Sequence, residues 1–344
     1  MTAIGGGIGR RRFLMTAGLA AAAVALEQRG ARADAPSEVR IGTFEETNPT
    51  AILQASGTLD SAMGAKAAWN DVGSGGAFNT AAAAGGIDIG LGLGTSPAAA
   101  GLARGIPYQV IAMCDNIAGA EEMTVRQSAG IKAPGDFAGK TVATPFGSTS
   151  NFRLAGFLTV HGLVGKVKVV YMAPPDIVAA WTRGQIDAAY VWPPAKTKLL
   201  KDGGEVYHTY KDLDAAGYVI GDLIAVRTAF AEQYPDTVVS FLKAYGQAYD
   251  LVQTDKKKAV ELVAKGTGLS PAEAEADMAE YEFISLQQSL SDQWLGAPGK
   301  PGRLASLLHG AAKFLHGQKS IPEVPPLSVF EKGINSSYLA KAVA

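Results

Sequence analysis

Two hydroxyl-rich loops are the first residues of this sequence whose types and spacing could bind a ligand. Gly94-Thr95-Ser96-Pro97 and Gly147-Ser148-Thr149-Ser150-Asn151 each precede or open a predicted helix. The first N–H groups of a helix have no partner within it, and the helix dipole favours an anion there. The loops therefore predict two halves of an anion clamp without Lys or Arg, and the alternative is that both are ordinary helix caps. The clamp residues would be Thr95, Ser96, Ser148, Thr149 and Ser150.

Carboxylates and one tryptophan form the second candidate group. Glu122 and Asp222 lie where the chain is expected to cross between two lobes, so either could pair with an ammonium. Glu45 and Glu46 follow the first predicted strand, Glu121 precedes Glu122, and surface solvation is the alternative for all of these acids. Trp192 ends the strand Tyr190-Val191-Trp192, where its ring either lines the cleft wall or packs in the core.

Signatures of catalysis and of metal binding are missing from the sequence. No pair among the four histidines has zincin spacing, and the chain has neither a Gly-x-Ser-x-Gly elbow nor a Walker loop. The single cysteine, Cys114, lies in an apolar strand and allows no internal disulfide. We therefore predict a binding protein with no cofactor, no metal and no catalytic residue.

The elements that must position these residues occur twice. Ile87-Asp88 and Ile186-Asp187 lie 99 positions apart in matching frames. In each frame an apolar helix ends at a glycine, Gly85 or Gly184, and a short apolar strand leads into a polar or proline-bearing loop. Helices alternating with strands indicate parallel sheets, whose ligands bind beyond the carboxyl ends of the strands. The repeat predicts two α/β lobes with a ligand cleft between them.

The predicted organisation starts with an export signal. Residues 1–33 contain Arg10-Arg11-Arg12, a short apolar stretch and a small-residue cleavage site, which together are typical of the twin-arginine route. Residues 34–121 and 223–344 are predicted to form lobe one, and residues 122–222 lobe two. The net charge of −1 gives no reason to expect nucleic acid as a partner. We expect a periplasmic monomer.

Three segments resemble the substrate-binding proteins of ABC importers for taurine, alkanesulfonates and nitrate, with the taurine-binding type most similar. They are Asp88–Pro97, Thr144–Ser150 and Pro174–Pro193, and weaker likeness extends over most of the mature chain. The resemblance implies a two-lobe periplasmic binding fold, type II-like, in which each lobe is a mainly parallel sheet flanked by helices and a hinge joins the lobes. It also implies capture of a small sulfonate, taurine first among the candidates, and docking on a membrane permease.

The resemblance also implies roles for individual residues. The five clamp hydroxyls would face the sulfonate, while Glu122, Trp192 and Asp222 would face the amino end. Thr43-Phe44-Glu45-Glu46 departs from the family pattern Tyr-Gln-Thr-Ser, and Asn151 and Phe152 replace a His-Tyr pair. If the two glutamates face the cleft they would repel a sulfonate and could hold an ammonium instead. We include Glu45 among the predicted ligand-binding residues for that reason.

Three other interpretations remain open at this point. The first is a different amine-bearing or cationic solute on the same fold. The second is a sensor subunit that binds the same ligand and docks on a receptor. The third is an enzyme on the same two-lobe plan, like proteins of pyrimidine synthesis that resemble this family. An enzyme of that kind would need a reactive His or a cofactor-bearing Lys in the cleft, and no His maps to the predicted cleft loops.

Overall fold

The computed structural model describes Thr2 and residues 35–117 and 119–344. The predicted export signal, residues 1–33, therefore lies outside the described residues apart from Thr2. Within the described part of the chain, no helix is both long enough and apolar enough to cross a membrane.

The described chain alternates strands and helices up to about residue 227 and is mostly helical afterwards, as the sequence predicts. The strands are β1 (Glu38–Thr43), β2 (Lys66–Asp71), β3 (Ile89–Gly94), β4 (Tyr108–Asn116), β5 (Glu122–Arg126), β6 (Thr141–Thr144), β7 (Lys168–Tyr171), β8 (Ala188–Val191), β9 (Gly204–Tyr207), β10 (Gly221–Arg227), β11 (Glu282–Phe283), β12 (Gly296–Ala297) and β13 (Lys300–Pro301).

Helices pack on both sheets and form most of the last third of the chain. The helices are α1 (Pro49–Ser56), α2 (Leu59–Met63), α3 (Gly75–Ala83), α4 (Thr95–Ala103), α5 (Thr149–Val160), α6 (Pro174–Thr182), α7 (Ala195–Lys201), α8 (Tyr210–Ala215), α9 (Thr228–Gln233), α10 (Pro235–Thr254), α11 (Lys256–Thr267), α12 (Pro271–Met278), α13 (Leu286–Ser289), α14 (Leu304–Gly317), α15 (Leu327–Lys332) and α16 (Ser337–Val343), with short 3-10 turns at Gln127–Ala129 and Pro134–Phe137.

Two larger sheets organise the described chain. The first has the order β11-β4-β10-β3-β1-β2 and the second has the order β7-β6-β8-β5-β9. The chain leaves the first sheet after Asn116, enters the second at Glu122, and returns to the first at Gly221. These transitions lie beside the predicted crossings, and the exact lobe boundaries stay a prediction.

The predicted α/β class with two helix-flanked sheets is confirmed, but each sheet is mixed rather than mainly parallel. β1 pairs in parallel with β2 and β3, and β6 pairs in parallel with β7 and β8. β10 runs antiparallel to β3 and β4, and β5 runs antiparallel to β8 and β9. β5 and β10 are the first strands after the chain changes sheets, so they do not follow the helical crossover that sets neighbouring strands parallel.

The repeated sequence frame has the predicted geometry. α3 and α6 are each followed by a glycine with positive φ, Gly85 at 70° and Gly184 at 68°. Both positions favour glycine because a side chain is strained in that region. Asp187, for which the sequence favours a turn or helix-capping role, instead accepts a hydrogen bond from the Thr141 backbone N–H at the start of β6, at 2.8 Å.

Asp88 has a larger structural role than a turn or cap. Its carboxylate pairs with Arg40 at 2.7 Å and with Arg227 at 2.6 Å, so it joins β1 to β10 at the start of β3. These hydrogen bonds hold the pKa of Asp88 below its ordinary value although burial acts in the opposite direction.

Two predicted helices are each divided in the structure. The helix expected from Pro49 to Met63 breaks at Gly57, whose φ of 66° is left-handed. The helix expected from Phe230 to Thr254 divides before Pro235, because proline has no N–H to continue the first helix. Neither break alters the sheet edges that position the cleft.

Candidate functional site

A cleft of about 350 Å³, counting the part open to solvent, lies where the two sheets face each other. Its walls include residues that follow β1, β3, β6 and β8, so it lies beyond the carboxyl ends of parallel strands, as predicted. Three aromatic rings line it: Phe44, Trp192 and Tyr281. Three carboxylates also line it: Glu46, Glu121 and Asp222. No Lys, Arg or His is found among the described residues of its lining.

The two predicted hydroxyl loops meet at this cleft. Ser96 Oγ donates a hydrogen bond to the Ser148 carbonyl oxygen at 3.3 Å. A Cβ atom on Gly94 would lie 2.5 Å from Thr149 Cγ2, so this approach requires glycine. The structure thus brings all five predicted clamp residues to one region, with Ser148 and Thr149 in the lining itself.

Most of the clamp hydroxyls are engaged within the protein. Ser148 Oγ donates to the Pro145 carbonyl at 2.7 Å and accepts from the Asn151 N–H at 3.1 Å, so Ser148 caps α5. Thr149 Oγ1 donates to Glu121 Oε2 at 2.7 Å. Thr95 Oγ1 is buried and has no hydrogen-bond partner among the described residues. Ser150 Oγ likewise forms no well-aligned bond, although it is close enough to Glu121 to lower the pKa of that carboxyl.

The first tandem pair of acids divides between the cleft and the surface. Glu46 is buried and lines the cleft, whereas the Glu45 side chain is exposed and lies 4.0 Å from Lys198. The structure therefore places Glu45, which the sequence analysis chose, outside the cleft lining. Of this pair, only Glu46 is placed to face a ligand in the cleft.

The second tandem pair divides between the cleft and the interior of the second sheet. Glu121 lines the cleft, and Glu122, which the sequence analysis chose, does not. Glu122 is buried in the second sheet, where its Oε2 accepts hydrogen bonds from the Thr209 N–H at 2.9 Å and from Thr209 Oγ1 at 2.8 Å. Its position suits a structural role in fixing the segment after β9.

Asp222 lies in the cleft as predicted, and it has a partner that the sequence analysis missed. Asp115, fully buried at the end of β4, is its register partner across the β4–β10 ladder. The two carboxyls are hydrogen-bonded to each other, which raises the pKa of Asp222 and lowers that of Asp115. The sequence signal that could have identified Asp115 is its position near the carboxyl end of an apolar strand.

Burial dominates the electrostatics of these acids. It raises the pKa of Glu121 to about 7, although Thr149 and Arg153 act to lower it. Burial also raises the pKa of Asp115 to about 7. The pKa values of Glu46 and Asp222 lie well above their ordinary range, first because of burial and then because of the neighbouring acids. These carboxyl groups therefore stay partly protonated near neutral pH unless a positive charge stabilises their ionised forms. The cleft consequently favours a cationic group.

Trp192 closes one side of the cleft. Its ring makes an edge contact with Phe44 at a centroid distance of 6.4 Å, and its Nε1 donates to the Glu45 carbonyl oxygen at 3.1 Å. The tryptophan therefore connects the end of β8 in the second sheet to the loop after β1 in the first. Both alternatives weighed for it hold in part, because the ring is largely buried and also lines the cleft.

A second connection between the two halves lies beside Trp192. Thr197 on α7 donates to the Asp277 carboxylate on α12, with both oxygens 2.7 Å away. The buried Lys196 pairs with Glu280, next to the cleft residue Tyr281. Because α7 lies between β8 and β9 of the second sheet and α12 precedes β11 of the first, this α7–α12 contact joins the two halves beside the cleft. The sequence alone does not predict this contact, because the paired residues are 80 positions apart.

The described residues contain no group of three or more His, Cys, Asp or Glu side chains arranged to hold a metal ion.

Two helix-flanked mixed sheets around an acidic, aromatic cleft define the class of two-lobe solute-binding proteins. The chain belongs to the NMT1/THI5-like family, whose model matches residues 72–259. It is 36% identical to the taurine-binding periplasmic protein of Escherichia coli K12 over 293 residues, which is 83% of this chain and 88% of that protein.

Solved structures show the same fold. The alkanesulfonate-binding protein SsuA from Xanthomonas axonopodis pv. citri bound to MOPS matches with a TM-score of 0.74 at 22% identity, covering 88% of this chain and 99% of that one. The periplasmic aliphatic sulphonate binding protein SsuA from Escherichia coli matches with a TM-score of 0.67 at 22% identity, covering 86% and 91%. The 36% identical relative confirms the prediction of a binding protein rather than an enzyme, and it supports a periplasmic location.

Proposed function

We propose that the chain is the extracytoplasmic binding component of an ABC importer and that it captures a small amine-bearing sulfonate of the taurine type. The observation that carries the proposal is the set of three buried carboxylates, Glu46, Glu121 and Asp222, in a cleft whose described lining has no basic side chain. Such a site must pair its acids with a cation or keep them protonated.

The anionic end of the solute would lie against the start of α5. The backbone N–H groups of its first turn have no partners within the helix, and the buried hydroxyl of Thr95 has no hydrogen-bond partner in the part of the chain that the structure describes. The relationship to a taurine-binding protein supports a sulfonate there. The remaining parts of the proposal are export by the twin-arginine route, a monomeric state and delivery to a membrane permease.

A cationic solute without a sulfonate is the second candidate. Glu46 favours it because that residue adds a carboxylate to the cleft, and the engaged hydroxyls of Ser148 and Thr149 favour it because they leave fewer donors for an anion.

The first test is a binding screen with intrinsic tryptophan fluorescence and thermal unfolding as readouts. Taurine, longer amino-sulfonates, amine-free alkanesulfonates, nitrate and diamines would be added to the full chain. A solute that binds the native state raises the melting temperature by mass action, and Trp192 in the lining should report it optically. A Trp192→Phe variant should lose the fluorescence change, while Trp69→Phe, outside the lining, should keep it. Failure of every amine and every sulfonate to shift either readout would refute the proposed function.

A further inference from the structure

Glu46 is held in the cleft lining by a side chain that also caps a helix. Asn48 Nδ2 donates to Glu46 Oε2 at 2.7 Å, while Asn48 Oδ1 accepts from the Thr50 N–H at 2.9 Å and so caps α1. Because the cap fixes the amide carbonyl, the amide NH₂ group is directed at Glu46. The carboxylate is therefore preorganised by the helix start rather than by a mobile side chain.

The carboxylate of Glu46 packs against strand β3. A Cβ atom on Gly92 would lie 2.7 Å from both carboxylate oxygens of Glu46, and Gly92 has a φ of 74°. The carboxylate thus packs directly on the backbone of β3, in space that any other residue at position 92 would fill. Its burial is a built feature of the cleft.

Two further carboxylates reach the same cleft from other elements. Glu121 comes from the turn before β5, with its Oε1 buried and without a hydrogen-bond partner in the described part of the chain, and Asp222 comes from β10. The other ionisable groups that act on these three are Asp115 on β4, Asp71 on β2, Glu122 on β5 and Arg153 on α5. Of these, only Arg153 is basic. It pairs with Asp214 and donates to the Tyr218 carbonyl, while its buried Nη1 has no hydrogen-bond partner among the described residues.

The number and type of acceptors define what can fill this space. A primary ammonium has three N–H donors and one positive charge, and three lining carboxylates can each accept one of those bonds. A trimethylated ammonium would supply charge but leave the buried acceptors without hydrogen bonds, which is costly. A sulfonate without an amine would bring no positive charge to these acids and would be repelled by those that are ionised.

We propose that Glu46 sets the solute class of the cleft, which takes a primary ammonium between Glu46, Glu121 and Asp222 and rejects amine-free sulfonates and fully N-methylated amines. This inference rests on the proposed solute-binding function and goes beyond it, because it assigns the selection of the amine to one residue. Glu45 provides a matched control, since it is the adjacent glutamate and its side chain faces solvent.

The experiment compares wild type, Glu46→Gln and Glu45→Gln by isothermal titration calorimetry on the full chain. The probes are taurine, ethanesulfonate, N,N,N-trimethyltaurine and 1,4-diaminobutane. Wild type should prefer taurine to the amine-free and trimethylated probes. Glu46→Gln should weaken taurine binding by about 10- to 100-fold and reduce its preference over ethanesulfonate by a similar factor. Glu45→Gln should behave as wild type, and thermal unfolding should show that both variants fold.

The possible outcomes separate the inference from the proposed function. If wild type binds ethanesulfonate as well as taurine, or Glu46→Gln keeps the wild-type preference, the inference is wrong while sulfonate binding stands. If only the diamine binds, and Glu46→Gln loses it, the role of Glu46 stands and the sulfonate is wrong. If no probe binds, both fail.

Discussion

Thr149 Oγ1 donates a 2.7 Å hydrogen bond to Glu121 Oε2, which ties a predicted anion-binding hydroxyl to a cleft carboxylate. The bond stabilises the ionised form of Glu121, so it acts against the effect of burial on the pKa of that carboxyl. The hydroxyl loop and the acidic cluster therefore adjoin each other in the cleft, and Thr149 lies where they meet.

Replacing Thr149 by Val should weaken the binding of an amine. The variant keeps the shape of the side chain and removes the hydrogen-bond donor, so the pKa of Glu121 rises above 7. A smaller fraction of this carboxyl is then ionised at pH 7 and able to bind an ammonium. We expect a loss of taurine affinity of about 10-fold at pH 7, recovered in part at higher pH. Titration calorimetry between pH 6 and pH 8.5 measures it. Thr159→Val, on the exposed side of the same helix, is the control, and an unchanged pH profile in Thr149→Val would contradict the expectation.

The ligand-free protein should lose stability as the pH rises toward 8. The pKa values of Asp115 and Glu121 increase from ordinary values of 3.8 and 4.5 to about 7 on folding, so the folded state binds more protons between these limits. Stability from this source is complete below about pH 4 and is lost as the pH rises through about 7, at about 1.4 kcal/mol per pH unit for each extra proton.

Urea unfolding from pH 5 to pH 8 tests this dependence. Glu46→Gln should make the slope shallower, because it removes one of the mutually repelling acids, whereas Glu45→Gln should leave the slope unchanged. A slope of opposite sign in wild type would show that these acids are ionised in the folded protein.

Breaking the α7–α12 contact should shorten the lifetime of the bound state. Thr197→Val removes the donor to the buried Asp277, whose pKa burial already raises to about 6. A hinge motion that opens the cleft would separate α7 from α12, so the hydrogen bond stabilises only the arrangement with the cleft closed around the solute. Without this bond we expect dissociation of the solute to accelerate by about 10-fold. Stopped-flow fluorescence measures this rate. Thr182→Val, exposed at the end of α6, should dissociate at the wild-type rate, and equal rates in all three proteins would exclude a role for the contact in retention.

Ser148→Ala should chiefly affect stability. Ser148 Oγ caps α5 by accepting from the Asn151 N–H, and loss of such a cap costs about 1 kcal/mol of unfolding free energy. Chemical denaturation measures the cost, and Ser128→Ala at an exposed turn should have almost none. If Ser148→Ala instead loses affinity and keeps its stability, Ser148 contacts the solute directly and is not primarily a cap.

The sequence by itself determined the elements and the place where they meet. Glycines at 85 and 184, the two Ile-Asp strand starts and the proline-opened helices are local signals, and each depends on backbone geometry that neighbouring residues control. They predicted two α/β halves, a cleft beyond the strand ends, and the positions of the Ser148 loop and of Asp222 in it. The same signals missed the antiparallel course of β5 and β10, which depends on where the chain changes sheets.

Only the tertiary structure decided which acids face the cleft. Glu45-Glu46 and Glu121-Glu122 are tandem pairs, and in each pair one member lines the cleft and the other does not. The side that faces the cleft depends on the register of the surrounding strands and on groups distant in sequence, such as Thr209 for Glu122 and Gly92 for Glu46. Asp115 joins Asp222 for the same reason, because a strand register brings together residues more than a hundred positions apart.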